Sequence, residues 1–197
     1  VRLRWREQAG AGGGLWNDLG PHLLDQALQL FGTPQAIHLD LARQRDGAQT
    51  DDYFHAQLRY GAEQPGLRVL LHASALVAAL GPRFIVHGST GSFVKHGLDP
   101  QEDRLKGGER PRLGRLGDWG ADSQDGLLTP GNPEAGSPER IATLPGNYLA
   151  YYAALREALH GRAPNPVTAT EAIRVMALIE AGRQSATSRR EVLVEAR

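Results

Sequence analysis

Between residues 37 and 96 the hydrophobic period of the chain is two, and no helical period interrupts it. Ile37, Leu39 and Leu41 alternate with His38, Asp40 and Ala42. Phe54, Ala56, Leu58 and Tyr60 alternate with Tyr53, His55, Gln57 and Arg59, and Val69, Leu71, Ala73, Ala75 and Val77 repeat the pattern. Phe84–His87 and Ser92–His96 are shorter runs on either side of a Ser89-Thr90-Gly91 turn. Parallel neighbours need long crossovers, usually helical ones, so five strands without helices between them favour an antiparallel sheet. One face of that sheet is apolar and the other carries His, Gln, Arg and Ser.

Helical periods flank this block. Leu19, Leu23, Ala27 and Leu30 form one stripe over residues 15–31, closed by Gly32 and Pro34. Gly20-Pro21 lies inside that pattern and predicts a break or a short first turn, because proline removes one helical hydrogen bond. Tyr148, Tyr152, Leu155 and Leu159 mark a second helix, ended by Gly161, with tyrosines 148, 151 and 152 read as core packing. Thr168 and Glu171 form a capping box that starts a third, running to about Ser188. Residues 191–195 (Glu191 to Glu195) read as a last short strand. The expected fold is therefore α+β: a mostly antiparallel open β-sheet with helices packed on one face. Residues 1–197 are read as a single domain. Within it, 97–139 hold nine glycines and five prolines and read as a long irregular loop with a short strand near Trp119.

Composition narrows the function classes. Lys+Arg and Asp+Glu are both 22, so no basic surplus offsets nucleic-acid phosphates. There is no cysteine, which excludes disulfides and thiolate metal sites and suits a reducing compartment. The longest apolar run, near Val69–Leu80, contains His72 and does not span a bilayer. Arg2, Arg4, Trp5, Arg6 and Glu7 leave no room for a signal-peptide core, so the expected location is cytoplasmic, with neither nucleic acid nor membrane as partner. The chain opens on Val in mid-pattern, as a fragment would.

The run Gly10-Ala11-Gly12-Gly13-Gly14 does not fit a dinucleotide-binding loop. It lacks a preceding strand and a glycine at the sixth position, which is Leu15. It reads instead as an approach to a helix where glycine permits tight backbone packing. Asp18, His22 and Asp25 stand at i, i+4 and i+7, on one helical face. A carboxylate beside an imidazole can orient it for proton transfer. The same residues also suit a solvated stripe, a metal site, or a helix cap beside a satisfied histidine. The other strand histidines match no metal spacing, although His55 and His72 can meet across two strands. No Gly-x-Ser-x-Gly is present. The lead-in Arg4-Trp5-Arg6 suits an anion or a substrate edge.

The run Gly12-Gly13-Gly14-Leu15-Trp16-Asn17-Asp18-Leu19-Gly20-Pro21-His22-Leu23-Leu24-Asp25 resembles the helix motif of the Gfo/Idh/MocA oxidoreductases. Val86-His87-Gly88-Ser89-Thr90-Gly91-Ser92-Phe93, Asp99-Pro100-Gln101-Glu102 and the stretch from Tyr148 to Ser185 with Pro164-Asn165-Pro166-Val167 match in the same order. The resemblance is to the C-terminal domain. It implies an N-terminal Rossmann domain that binds NAD or NADP and a Glu-Lys-Pro motif, both lying outside this sequence, so no cofactor-binding residue is assigned here. It also implies a sugar, polyol or related alcohol as substrate. His22 would be the acid/base and Asp18 its partner or a second substrate contact. Asp25 would tie the helix to the sheet, with Asn17, Trp5 and Arg6 in the pocket wall. No metal ligand is expected, and this chain alone should be inactive. A homo-oligomer through the open sheet is expected, with Leu70 and Leu76 on its outer face. The alternative is a non-catalytic sheet module for homo-dimerisation or domain packing. A metal-dependent isomerase or hydrolase built on Asp18, His22 and Asp25 ranks third, for want of a fourth ligand.

Overall fold

The five alternating runs all form strands, but they divide between two sheets. The computed structural model describes residues 4–10, 12–112, 119–132, 134 and 136–194. Among them, a 3-10 turn at Trp5–Glu7 is followed by α1 (Leu15–Phe31), β1 (Ala36–Ala42), β2 (Tyr53–Arg59), β3 (Arg68–Ser74), β4 (Phe84–His87) and β5 (Gly91–Lys95). Then come α2 (Gln101–Lys106), β6 (Gly126–Pro130), β7 (Glu139–Ile141), α3 (Tyr148–Leu159), α4 (Ala169–Ser188) and β8 (Val192–Leu193). Glu195, the end of the expected last strand, and Ala11 of the glycine run lie outside the described residues. The chain divides into two compact units, residues 1–78 with 167–197 and residues 79–166. No helix is long and apolar enough to cross a membrane among the described residues.

The first unit holds an antiparallel sheet in the order β3-β2-β1-β8. Its register sets Ile37 opposite Leu58, Leu39 opposite Ala56 and Ala56 opposite Leu71, so the apolar set of every strand lands on one face. The side chains of α1 and α4 cover that face: Trp16, Leu24, Ala27, Leu178 and Ile179 join Ile37, Leu39, Phe54, Ala56 and Leu58 in one core. His55 and His72 do meet on the opposite face, with ring centroids 5.8 Å apart. The third run forms a strand to Ser74 rather than Val77, and the Ala75 N–H to Asp52 carbonyl bond carries the β2–β3 register one pair further. β8 pairs with Ala36 and Ile37 of β1. Beyond it, buried Ser185 of α4 accepts the Leu39 N–H at 3.0 Å and donates to the Arg190 carbonyl, so the strand edge is satisfied from the helix.

α1 does not break at Gly20-Pro21. Pro21 lies in the second turn and forfeits only the bond to the Asn17 carbonyl, while buried residues on both sides hold the helix down. Gly20 has a separate reason to be glycine. A Cβ there would stand 2.9 Å from Cε3 of Trp16 and 3.0 Å from Cδ1 of Ile179, so its absence lets α4 approach.

The second unit holds the antiparallel sheet β4-β5-β6-β7. Residues 97–139 are thus less irregular than their composition suggests, since they contain α2, β6 and the first residue of β7. Trp119 is in a turn, not a strand; it is buried with the Arg104 guanidinium 5.3 Å from its ring centroid. The Asp99-Pro100-Gln101 motif forms a polar joint. Asp99 accepts the backbone and side-chain N–H groups of buried Gln101, and Gln101 accepts the Tyr148 N–H. The tyrosines of α3 are not core. Tyr151 and Tyr152 touch edge to face at 5.4 Å on an exposed surface, and no described residue of α3 is buried.

Among the described residues one buried side-chain polar group lacks a partner. The Tyr60 hydroxyl has no hydrogen bond among the described residues, and its ring packs edge to face on Phe31. Burial pushes its ionisation up to about 12. Tyr60→Phe is therefore expected to stabilise the fold by about 1 kcal/mol, read as a higher denaturant midpoint at unchanged slope. In the unsubstituted protein the unfolded chain loses this proton near pH 10 while the folded chain keeps it to about 12. Stability attributable to Tyr60 is complete below pH 10 and falls as the pH rises through that window.

Candidate active site

The site is built on the first two turns of α1. Gly14 stands at the N-cap with φ 101° and no side chain to satisfy the helix donors. Asp51, from the β1–β2 connection, does so instead: its carboxylate accepts the Trp16 N–H at 2.7 Å and its carbonyl accepts the Leu15 N–H at 2.8 Å. A Cβ on Gly14 would lie 2.0 Å from Oδ1 of Asp51. On the neighbouring glycine, Gly13, it would lie 2.5 Å from the Gln8 carbonyl oxygen. The glycines therefore serve close packing, as their sequence context suggests. A helix start already holding a carboxylate repels a pyrophosphate, so the residues of this chain do not fit a dinucleotide there.

Asp18, His22 and Asp25 lie on the side of α1 turned from Trp16, Gly20, Leu24 and Ala27. His22 and Asp25 are exposed; the Asp18 side chain is 26% exposed. The carboxylate of Asp18 is held by Nη1 of Arg6, at 2.8 and 2.9 Å to its two oxygens. Among the described residues no hydrogen bond joins Asp18 to His22. No hydrogen bond or ion pair ties Asp25 to the sheet among the described residues. It lines a shallow polar cleft with Gln29, Thr33, Glu171 and Arg174, because its position on the helix faces outward toward α4.

The remaining expected site residues separate. Trp5 is 65% exposed and lies under the Arg6 guanidinium, 5.4 Å from ring centroid to Cζ, so Trp5, Arg6 and Asp18 form one contiguous group beside His22. Asn17 faces the other way: its amide donates to the Gly13 carbonyl at 2.5 Å and accepts from Arg183 of α4. The segment carrying Arg6 is strapped down. Its carbonyl accepts the Gly14 N–H at 2.8 Å, and Glu7 pairs with Arg45, which pairs with buried Asp52. Burial pushes the Asp52 carboxyl up, but the Gln44 N–H and Arg45 outweigh it and hold it below its ordinary value. Neither Asp51 nor Arg183 is marked by sequence spacing, since their partners lie 35 and 166 residues away. Among the described residues no three His, Asp or Glu side chains are placed to share a metal ion.

The family model described as "Oxidoreductase family, C-terminal alpha/beta domain", that of the Gfo/Idh/MocA group, matches residues 1–194. The chain belongs to the Gfo/Idh/MocA family. It is 57% identical over 190 residues to the uncharacterized oxidoreductase YdgJ of Escherichia coli, covering 96% of this chain and 53% of that protein. It is 40% identical over 197 residues to the Bacillus subtilis protein named scyllo-inositol 2-dehydrogenase (NADP(+)) IolW, covering 99% and 53%. The solved structure of YPO2259 from Yersinia pestis superposes with a TM-score of 0.89 at 54% identity, covering all of this chain and 54% of that one. The chain thus spans about half the length of the relatives it matches. In this Gfo/Idh/MocA domain the helix motif is α1, and its Asp-x-Gly-x-His core divides its duties. Gly20 lies against α4, while Asp18 and His22 face outward.

Proposed function

We propose that the complete protein is an NAD- or NADP-dependent dehydrogenase of a sugar, polyol or related alcohol, and that this chain is its substrate-binding half. The observation that carries the reading is the outward-facing pair Asp18 and His22 at the start of α1, beside Trp5 and Arg6. The name of the Bacillus subtilis relative supports an alcohol of the cyclitol kind. His22, exposed on α1, would take the hydroxyl proton of the substrate alcohol, and Asp18 and Arg6 would meet its other hydroxyls. Trp5 would wall the pocket. Asn17 would contribute by tying the first turn of α1 to Arg183, which keeps that wall in place. The nucleotide is assigned to an N-terminal Rossmann domain of the complete protein, and no part of it to the residues here. This chain alone is therefore expected to be inactive. The test is turnover of the complete protein with NAD and NADP against sugars and polyols, before and after His22→Asn.

The alternative, a non-catalytic sheet module, draws on exposed apolar residues on strands. Leu70 of the first sheet is 59% exposed, and Ile85 and Leu127 of the second are also exposed. Such rows suit contact with a second copy. Self-association is compatible with catalysis, so both can hold. Sedimentation of the complete protein is expected to show an oligomer that Leu127→Glu weakens; a monomer at micromolar concentration would remove this part of the proposal.

A further inference from the structure

Asp18 has two potential partners and is bonded to one. His22 lies one helical turn on, where side chains at i and i+4 stand about 5–6 Å apart at Cβ. Arg6 comes from outside the helix and holds both carboxylate oxygens. A half-exposed ion pair of this kind adds little to stability. Yet several contacts serve to deliver it: the Arg6 carbonyl on the Gly14 N–H and the Thr50 hydroxyl, Glu7 on Arg45, Arg45 on buried Asp52, and a Gly13 with no room for a side chain. Among the described residues the Arg6 guanidinium stacks over Trp5, and the one side chain it hydrogen-bonds is the carboxylate one turn before the exposed histidine.

We propose that Arg6 is a positioning residue: by clamping the Asp18 carboxylate it keeps Asp18 from pairing with His22 and so sets the proton affinity of His22. The proposal rests on the reading of His22 as the acid/base, and adds to it the group that tunes that base. A histidine paired directly with a carboxylate holds its proton more tightly and is a poorer base near neutral pH. Arg6 offsets the charge of the Asp18 carboxylate that it holds. The other charged groups on the elements that meet here are Asp25 on α1, Glu7 on the strap, and Glu171, Arg174, Glu180 and Arg183 on α4. None is bonded to His22 among the described residues.

The experiment is a pH titration of the His22 ring resonance in the complete protein labelled in histidine, with the signal assigned by its loss in His22→Gln. Arg6→Gln is expected to raise the His22 midpoint by about one pH unit, since it removes a cation and frees a carboxylate one turn away. Arg6→Lys should restore most of the shift. Arg6→Gln combined with Asp18→Asn should bring the midpoint back to that of the unsubstituted protein or below. An unmoved midpoint in Arg6→Gln overturns the proposal, as does an equal rise in the double variant, which would show that Asp18 is not the intermediary. The acid limb of kcat/KM should rise by the same amount as the ring midpoint. If the ring midpoint moves and that limb does not, the clamp stands and the acid/base reading of His22 falls.

Discussion

His22→Asn in the complete protein is expected to lower kcat by about 100- to 10,000-fold, the usual contribution of a positioned general acid or base. The loss should fall equally on kcat/KM, because the proton moves only on the way to the transition state and ground-state binding does not depend on it. Two features of α1 make the test clean. His22 is exposed, so its replacement empties no cavity and is expected to change stability by less than about 0.5 kcal/mol. The helix is held from its other face, through Trp16, Leu24 and Ala27, so its position does not depend on the imidazole. Unchanged sedimentation and thermal unfolding alongside lost turnover would assign the effect to chemistry. Unchanged turnover would hand the domain to the non-catalytic reading, with Asp18 and His22 as remnants. Asp18→Asn is expected to cost less, since the carboxylate is already engaged by Arg6.

The stripe Leu19, Leu23, Ala27 and Leu30 did not give the inward side of α1: Leu19 and Leu30 are exposed, and Trp16, Gly20 and Leu24 are buried with Ala27. That Asp18, His22 and Asp25 share one helical face was legible, because spacing alone fixes it. The five strands were legible for the same reason, since alternation needs no knowledge of partners. Partnership itself was not legible. Nothing in the pattern of β3 or β4 says that a sheet ends between them, because an alternating strand looks the same at an edge as at a centre. β6 escaped notice because it offers only Leu127 and Leu128 between Gly126 and Pro130, too few residues to show a period. The tyrosines of α3 have core spacing but no cover within the described residues, and spacing reports a stripe without reporting what lies against it. The contacts that shape the site are non-local. Asp51 caps α1 from 35 residues away, and Arg6 reaches Asp18 only after the glycines have folded the strap back.

Trp16→Ala should be the most damaging substitution in the first unit. The ring is 1% exposed and meets Phe54 edge to face at 5.1 Å, and its Nε1 donates to the Ile179 carbonyl at 3.2 Å. Truncation removes the largest side chain of the core, leaves a cavity between α1 and α4, and deletes that bond. The cost is about 3–5 kcal/mol, a large share of the stability of a typical domain. It should appear as an earlier unfolding transition of the complete protein. Trp16→Phe, which keeps a smaller ring but loses the indole donor, should lie between the two. The glycines offer an internal check. A Cβ on Gly182 would stand 2.7 Å from Cζ2 of Trp16, so Gly182→Ala should be destabilising beside the tryptophan. Combined with Trp16→Ala, which removes the clashing ring, it should cost much less. Such coupling between neighbours is what a double-mutant cycle reads. Its absence would mean that α1 and α4 are not held at this crossing. Because α1 also carries Asp18 and His22, loosening the crossing should cost turnover even at temperatures where the protein stays folded. The size of that loss across the Trp16 series would then measure how far a buried contact on one side of the helix fixes the geometry of the groups on the other.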